Sequence, residues 1–420
     1  PSQFHRFLGG IMRIAIVGIN YAPEPTGIPV YTTGLAEHLS RQNHAVTVYT
    51  GFPYYPNWAK RAEDKGRLHQ RESINGVAVR RHYIYVPARP SAIKRMVHEL
   101  SFVVSSALGY LLGPRADLTI IVSPPLFIGI PIALIARLKG SRTVFHVQDL
   151  QPDAAVDLGM LPRGPLTSFF FLVEKCTYRL MDHISTISYG MLEKIVSKGV
   201  PRRKLVLFRN WAHDDLVSPM RTDTWYRKEW NLGSRFVVLY SGNMGVKQGL
   251  DSLVGAADEL RDNKDVVFVI VGDGGEKAKL MQRAREMGLG NIQFHPLQPM
   301  ERLSELLATA DVAVVPQKRG VRDIVLPSKL GNLLASGRPV IAGADADTEF
   351  GRIVADSRCG ILVEPGNANQ LATAVSDLSV ERNECLRMGA DGRRYMEENL
   401  GSRPILDGFV RWTASLAARP

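Results

Sequence analysis

At 420 residues the chain exceeds one ordinary core, and two domains of about 200 residues each are expected. With 45% hydrophobic and 22% charged residues it is neither disordered nor fibrous, and Cys176, Cys359 and Cys385 form no CxxC pair or metal spacing, so reduced thiols of a cytosolic protein are expected. The net charge of +11 belongs to the first half: residues 1–215 carry 26 Lys and Arg against 15 Asp and Glu, and the remainder carries 26 of each sign. A basic half joined to a neutral half implies two tasks, since basic surface attracts nucleic acid, anionic headgroups or phosphorylated ligands. A solubilising charge bias is the plainer alternative.

The opening Pro1-Ser2-Gln3-Phe4-His5-Arg6 lacks the apolar core of a signal peptide and reads as a leader before a start at Met12. Met12 to Gly18 reads as a first parallel strand. A Gly- and Pro-bearing loop from Ile19 to Pro29, a helix over Tyr31–Gln42 and a strand over Ala45–Thr50 complete a βαβ unit. Further strands are expected at Val77–Tyr83, Leu118–Val122 and Thr143–Val147. The apolar run Leu118–Ala136 is broken by Pro124, Pro125 and Pro131, which argues against a membrane span. Ser91–Leu112 opens with Lys94, Arg95 and His98 and then turns apolar, and Leu161–Leu172 joins Arg163 to Leu166, Phe169, Phe170 and Phe171. Such interleaving suits a helix lying on a membrane, although most of these apolar residues are expected to pack on the sheet.

The second half restarts the pattern after a boundary near Trp211–Leu232. Strands are expected at Arg235–Gly242, Val266–Gly272, Asn291–His295, Val312–Val315 and Pro339–Ala342, with helices at Gly249–Leu260 and Lys277–Met287 and an amphipathic helix over Pro404–Ala417. The fold class is α/β: two facing Rossmann-like domains with parallel sheets and a ligand cleft between them. The domains run over 12–215 and 233–395, and 396–420 forms a C-terminal helix crossing back to the first. Glycine-bearing loops follow the first two strands of the second domain, Ser241–Leu250 and Val271–Glu276. They suit close backbone approach to phosphate, with Lys247 adding charge. Neither GxGxxG nor GxxxxGK[ST] is matched. Asp273 caps the next helix or holds a sugar or ribose hydroxyl. Ser328 reads as the N-cap of a short helix ended by Gly337, with Lys329 beside its start.

The order of these motifs resembles family 4 of the GT-B glycosyltransferases from Met12 to about Tyr395. The resemblance rests on Tyr21–Gly27, Ser185–Ser188, Asn210-Trp211, Ser241–Gly249, Val271–Gly274, Ala310–Val312 and Pro327–Lys329. The Asn-Met-Gly and Pro-Ser-Lys variants look most like bacterial exopolysaccharide and O-antigen enzymes, of the colanic-acid and N-acetylfucosamine types. The resemblance implies retaining transfer from a UDP- or GDP-sugar to an acceptor, with a polyprenyl-diphosphate-linked saccharide at the anionic inner face of the membrane as the expected one. It implies a donor site in the second domain with Gly242, Asn243, Lys247 and Gln248 by the diphosphate, Asp273 among the donor-binding residues, and His295 and Leu297 near the base. Ser328, Lys329 and Asn332 complete that set, and Thr26 and Gly27 close over the leaving phosphate and the acceptor. No cofactor, no metal and no nucleic-acid partner is expected, and the setting is cytoplasmic and peripheral to the membrane.

The chain departs from the family pattern at three places. Asn243 stands where many members carry Arg, and Gln248 where they carry Lys. Asn332 replaces the second Glu of a Glu-x7-Glu motif whose first position is Ile324. Diphosphate contacts then fall to Lys247, Lys329 and Arg319 or Arg322. Departure of the diphosphate needs cations and helix N-termini aimed at its developing charge. Asp345-Ala346-Asp347 reads as a solvated turn rather than a metal pair. Asp149, then His146, are the candidates for orienting or deprotonating the acceptor, with a helix-capping role for Asp149 equally open. The competing functions are a sugar-nucleotide epimerase or hydrolase, and a non-catalytic nucleotide-binding scaffold at the membrane. An NAD-dependent dehydrogenase fits poorly.

Overall fold

The computed structural model describes residues 10–25, 27–89, 91–157, 164–212, 217–319 and 327–417. The leader, Thr26, Arg163, Arg322 and Ile324 lie outside the described residues, as does the side chain of Ser328. The chain divides into two compact units, one of Pro1–Asn210 with Leu406–Pro420 and one of Trp211–Ile405.

The first unit carries β1 (Arg13–Val17), β2 (Ala45–Gly51), β3 (His69–Ile74), β4 (Val77–His82), β5 (Leu118–Ser123), β6 (Arg142–Val147), β7 (His183–Thr186) and β8 (Leu205–Leu207). They form one sheet in the order β3-β4-β2-β1-β5-β6-β7-β8, parallel except for β3, which pairs antiparallel with β4. The strand at Thr143–Val147 is therefore not the last of its unit. β3 escapes sequence patterning because it is a polar edge strand, and β7 and β8 because they are only 4 and 3 residues long.

The second unit carries β9 (Phe236–Ser241), β10 (Val266–Val271), β11 (Ile292–His295), β12 (Val312–Val315), β13 (Val340–Gly343) and β14 (Gly360–Val363), all parallel, in the order β11-β10-β9-β12-β13-β14. Its central strands are apolar at every position but Ser241, the last of β9, because both faces are covered. Val237, Leu239, Val267 and Val269 enter one core, while Phe236, Val238, Phe268 and Ile270 enter the other. In each sheet the strand order reverses beside the first strand, between β1 and β5 and between β9 and β12. Ligands of open α/β sheets gather at the carboxyl ends flanking such a reversal.

The last helix, Ser402–Ala417, packs on the first unit: Phe409 stacks on Phe208 at 4.0 Å between centroids, and Trp412 meets His183 edge-on at 5.4 Å.

Candidate functional site

The loops after β9, β10 and β12 are laced together by their own backbones. Gly242 N–H donates to Val271 O (3.0 Å), Met244 N–H to Asp273 O (2.7 Å) and Lys318 N–H to Lys247 O (3.0 Å). That closeness requires glycine at two points. Gly272 has φ +148°, and a Cβ there would lie 1.9 Å from Gly242 O. Gly249 has φ +60°, and a Cβ there would lie 2.8 Å from the Lys318 backbone.

Lys329, in the first turn of helix Ser328–Ala335, reaches this cradle. Its Nζ lies 4.1 Å from the Tyr240 ring centroid and would be 3.0 Å from a Cβ on Gly242. Tyr240 OH donates to Asn243 O at 2.5 Å, which pins the ring. Among the described residues no carboxylate pairs with Lys329, and burial pushes its pKa down to about 8. A half-buried ammonium with no counter-charge, beside a glycine-lined backbone, is an anion site by its electrostatics. Sequence reasoning misses Tyr240, 89 residues away from Lys329; an aromatic residue two places before a loop glycine is its only signal.

Around the cradle, Asn243 and Lys247 are exposed, and Gln248 is half-buried with its Oε1 against Gly245. Asn332, half-buried, stands three residues after Lys329 on the same helix. His295 closes β11 with its ring stacked on Trp230 at 3.9 Å and 13°. Its Nε2–H donates to Gln293 Oε1 (3.0 Å), and burial lowers its pKa and keeps it neutral. Leu297 is 69% exposed.

Three expectations need correction. Ser328 is the first helical residue, and Pro327 holds the cap position with no side-chain bond. Asp273 does not cap helix Lys277–Glu286, whose cap position is Glu276; its Oδ1 accepts the adjacent Gly274 N–H at 2.9 Å. Arg319 is paired with Glu364 and so is not a spare cation. Asp345 and Asp347 lie in an exposed turn before helix Glu349–Ser357, whose cap is Thr348.

In the first unit His146 is 3% exposed and engaged through both ring nitrogens, with Ser185 Oγ and Gln148 Nε2 each at 2.9 Å. Burial lowers its pKa to about 3. The geometry makes it a neutral structural ring with no nitrogen left to take an acceptor proton, which corrects its candidacy as a base. Asp149 lies exposed two residues beyond β6. Desolvation raises its pKa, with the Leu150 N–H acting in the opposite direction.

A cavity of about 320 Å³ opens at the carboxyl ends of β1, β2 and β5, and Gly27, Tyr54, Trp58, Arg95, His98 and Glu99 line it. Glu24 shapes its wall: the buried carboxyl accepts the Tyr54 and Tyr55 N–H groups at 2.9 Å and Asn20 Nδ2–H at 2.8 Å. None of these residues except Gly27 was a candidate from sequence, although the run Tyr54-Tyr55-Pro56-Asn57-Trp58 is rich in aromatics for a loop. A larger cavity of about 440 Å³ precedes β7 and β8, at the opposite end of the sheet from the reversal. Its Lys198 is already neutralised by Glu174 and Asp153.

Residues 26–211 match the family described as Glycosyl transferase 4-like domain, and residues 223–395 that described as Glycosyl transferases group 1. The chain is 37% identical over 410 residues to the putative colanic acid biosynthesis glycosyl transferase WcaI of Escherichia coli K12, covering 95% of this chain and 99% of that protein. Among solved structures, sucrose-phosphate synthase of Thermosynechococcus elongatus superposes with a TM-score of 0.71 at 18% identity, over 97% of this chain and 99% of that one. HepE of Anabaena in complex with UDP superposes at 0.68 and 15% identity, over 96% and 100%. At these identities the two structures speak for the fold alone. The chain belongs to the group 1 glycosyltransferases with a glycosyltransferase 4-like domain, and it is a glycosyltransferase built of two Rossmann-like α/β units of the GT-B kind.

Proposed function

We propose that this glycosyltransferase moves a sugar, with retention of anomeric configuration, from a UDP- or GDP-sugar to a polyprenyl-diphosphate-linked saccharide in surface polysaccharide synthesis. The observation that carries the reading is Lys329, an ammonium held against the Gly242 loop with no carboxylate partner among the described residues. The nucleoside diphosphate supplies the missing charge, and the N–H groups opening helix Ser328–Ala335 add to it. As the diphosphate leaves, this cation meets the developing charge, so no metal is needed. The base packs towards His295 and Leu297, and Asn332 hydrogen-bonds the donor without adding charge. Asp149 orients the acceptor hydroxyl. The colanic acid assignment of WcaI supports the polysaccharide setting, and the UDP held by HepE supports a nucleoside diphosphate ligand.

The acceptor is met at an anionic membrane surface. Helix Ala92–Leu111 leaves Ile93, Val104 and Leu108 at 77%, 61% and 57% exposure, and helix Pro165–Leu180 leaves Phe169 and Leu172 exposed. Helix Gly129–Leu138 packs against both and exposes Leu134 and Leu138. Three neighbouring helices thus present apolar side chains from a unit that carries the chain's whole excess of positive charge, which suits lipid headgroups. Among the described residues no helix is long and apolar enough to cross a membrane.

A thermal-shift panel of UDP, GDP, ADP and NAD tests the donor. A rise in melting temperature with UDP or GDP alone is expected, and a flat response to both would refute the reading. The anomeric configuration of the product, read by NMR, tests retention.

A further inference from the structure

The 320 Å³ cavity of the first unit has walls unlike those of the cradle in the second. Tyr54, Trp58 and His98 form a triangle of rings with centroid separations of 5.4, 4.5 and 5.2 Å. Trp58 is held at φ +51°, a left-handed conformation that a bulky residue rarely adopts, so the surrounding loop must enforce the placement of this indole. Glu24 fixes that loop through the Tyr54 and Tyr55 N–H groups. His98 is buried, and its Nδ1–H donates to Tyr85 O at 2.5 Å, which fixes its ring as part of the wall.

The polar groups of the cavity are few and underused. Glu99 receives one long bond, from Gln151 Nε2 at 3.3 Å, and among the described residues no cation pairs with it. Burial pushes its pKa up to about 7. Arg95 lies over the Trp58 ring at 5.4 Å and has no carboxylate partner among the described residues. Arg95 is the one Lys or Arg among the lining residues, so the cavity lacks the cluster of cations that a phosphate needs. Aromatic faces take the apolar C–H face of a pyranose, and a carboxyl with free lone pairs takes its hydroxyl protons.

We propose that this cavity is a subsite for an uncharged sugar ring of the acceptor, stacked on Trp58 and Tyr54 and hydrogen-bonded by Glu99 and Arg95. The assignment rests on the transferase reading above and names the part of the acceptor that the first unit recognises. It uses no phosphate or lipid contact.

Saturation-transfer NMR tests it with octyl β-D-glucopyranoside, octyl β-D-galactopyranoside and octyl α-D-mannopyranoside, each below its micelle-forming concentration. Tetraethylene glycol monooctyl ether, with the same tail and no ring, is the control. At least one glycoside is expected to receive saturation at its ring protons, and the control none. Trp58→Ala should weaken that binding roughly tenfold, with Trp58→Phe largely restoring it and Glu99→Gln weakening it about threefold. Absence of ring saturation with all three glycosides, equal saturation of the control, or unchanged binding in both Trp58→Ala and Glu99→Gln would overturn the subsite. The UDP and GDP melting shift is recorded on the same samples. A preserved shift in the variants shows an intact fold and donor site. Glycoside binding by a wild-type protein that no nucleotide stabilises would sink the proposed UDP- or GDP-sugar donor and leave the sugar subsite standing.

Discussion

The two units reverse their strand order beside the first strand in the same way, yet fill the resulting crevices with different chemistry. Beyond β9 and β10 the backbone dominates: glycines at φ +144°, +148° and +150° press one loop onto the next, and among the described residues the ammonium groups of Lys329 and Lys277 reach them, Lys277 Nζ donating to Gly272 O at 2.9 Å. Beyond β1 and β2 side chains dominate: rings, two carboxyls and one arginine build a walled cavity. A glycine-lined loop with a buried ammonium suits an anion whose charge stays the same whatever sugar it carries, and a wall of side chains suits a ligand read by its shape. Topology therefore fixes where each unit binds, and the loop residues decide what it binds.

The sharpest way to break this comparison is Lys329→Met. Loss of the cation should lower kcat/KM by roughly 10²–10³-fold, as loss of one preorganised charge-stabilising donor does elsewhere. The nucleotide-induced melting shift should vanish with it. The ligand-free protein should melt higher, because an apolar side chain of similar length removes a desolvated charge that no described carboxylate neutralises. The pH dependence has a defined sign. The folded pKa of about 8 lies below the ordinary 10.5, so between those values the unfolded chain binds more protons. Ligand-free stability from this group therefore rises with pH across that window and is fully recovered above 10.5. Nucleotide affinity runs the other way and falls as pH rises through about 8. Parallel trends in the two quantities would remove Lys329 from the donor site.

A second contrast compares one crevice glycine from each unit. Gly272→Ala places a Cβ 1.9 Å from Gly242 O in a backbone conformation closed to alanine, and should cost roughly 3 kcal/mol in urea denaturation. Gly18→Ala places its Cβ 3.1 Å from Val122 Cβ, at an ordinary φ and needing a shift of only a few tenths of an ångström, and should cost about 1 kcal/mol. Equal costs would mean that the backbone lacing is not peculiar to the second unit.

These contrasts also mark how far the sequence is legible. β9, β10 and β12 are readable because strands buried on both faces are apolar almost throughout, Ser241 at the end of β9 excepted, and the glycine loops after β9 and β10 follow directly. β3 reads as polar because it is an edge, although Asn75-Gly76, at φ +48° and +82°, is a hairpin signal joining it to β4. Lys329 can be read as a cation near a helix start. Its setting cannot, because that depends on Tyr240 underneath it and on no described carboxylate pairing with it in space. His146 looks catalytic in sequence because a histidine at a strand end points towards ligand as often as into the core. Here Ser185 and Gln148 claim it for the core. The aromatic cavity depends on Glu24 gathering a loop 30 residues further on, a contact that no local pattern encodes.

The smallest effect expected concerns the surfaces of the two units. Leu100, Val104 and Leu108 lie four residues apart along one exposed side of helix Ala92–Leu111, whereas Phe102 and Val103 of the same helix are buried. Replacing the three exposed residues together by Glu removes apolar contact and adds negative charge. Binding to phosphatidylglycerol–phosphatidylcholine vesicles should then weaken at least about tenfold with unchanged melting. Val380→Glu with Leu386→Glu, also exposed but on the second unit, which has no excess of positive charge, should leave vesicle binding as it was. Raising the salt should weaken wild-type binding, because the headgroup attraction acts only within about 10 Å at 0.1 M ionic strength. If both sets of substitutions weakened binding equally, the membrane contact would belong to the whole chain. If neither did, the apolar side of Ala92–Leu111 would need a protein partner, and a second copy of the chain seen by sedimentation would be the first to look for.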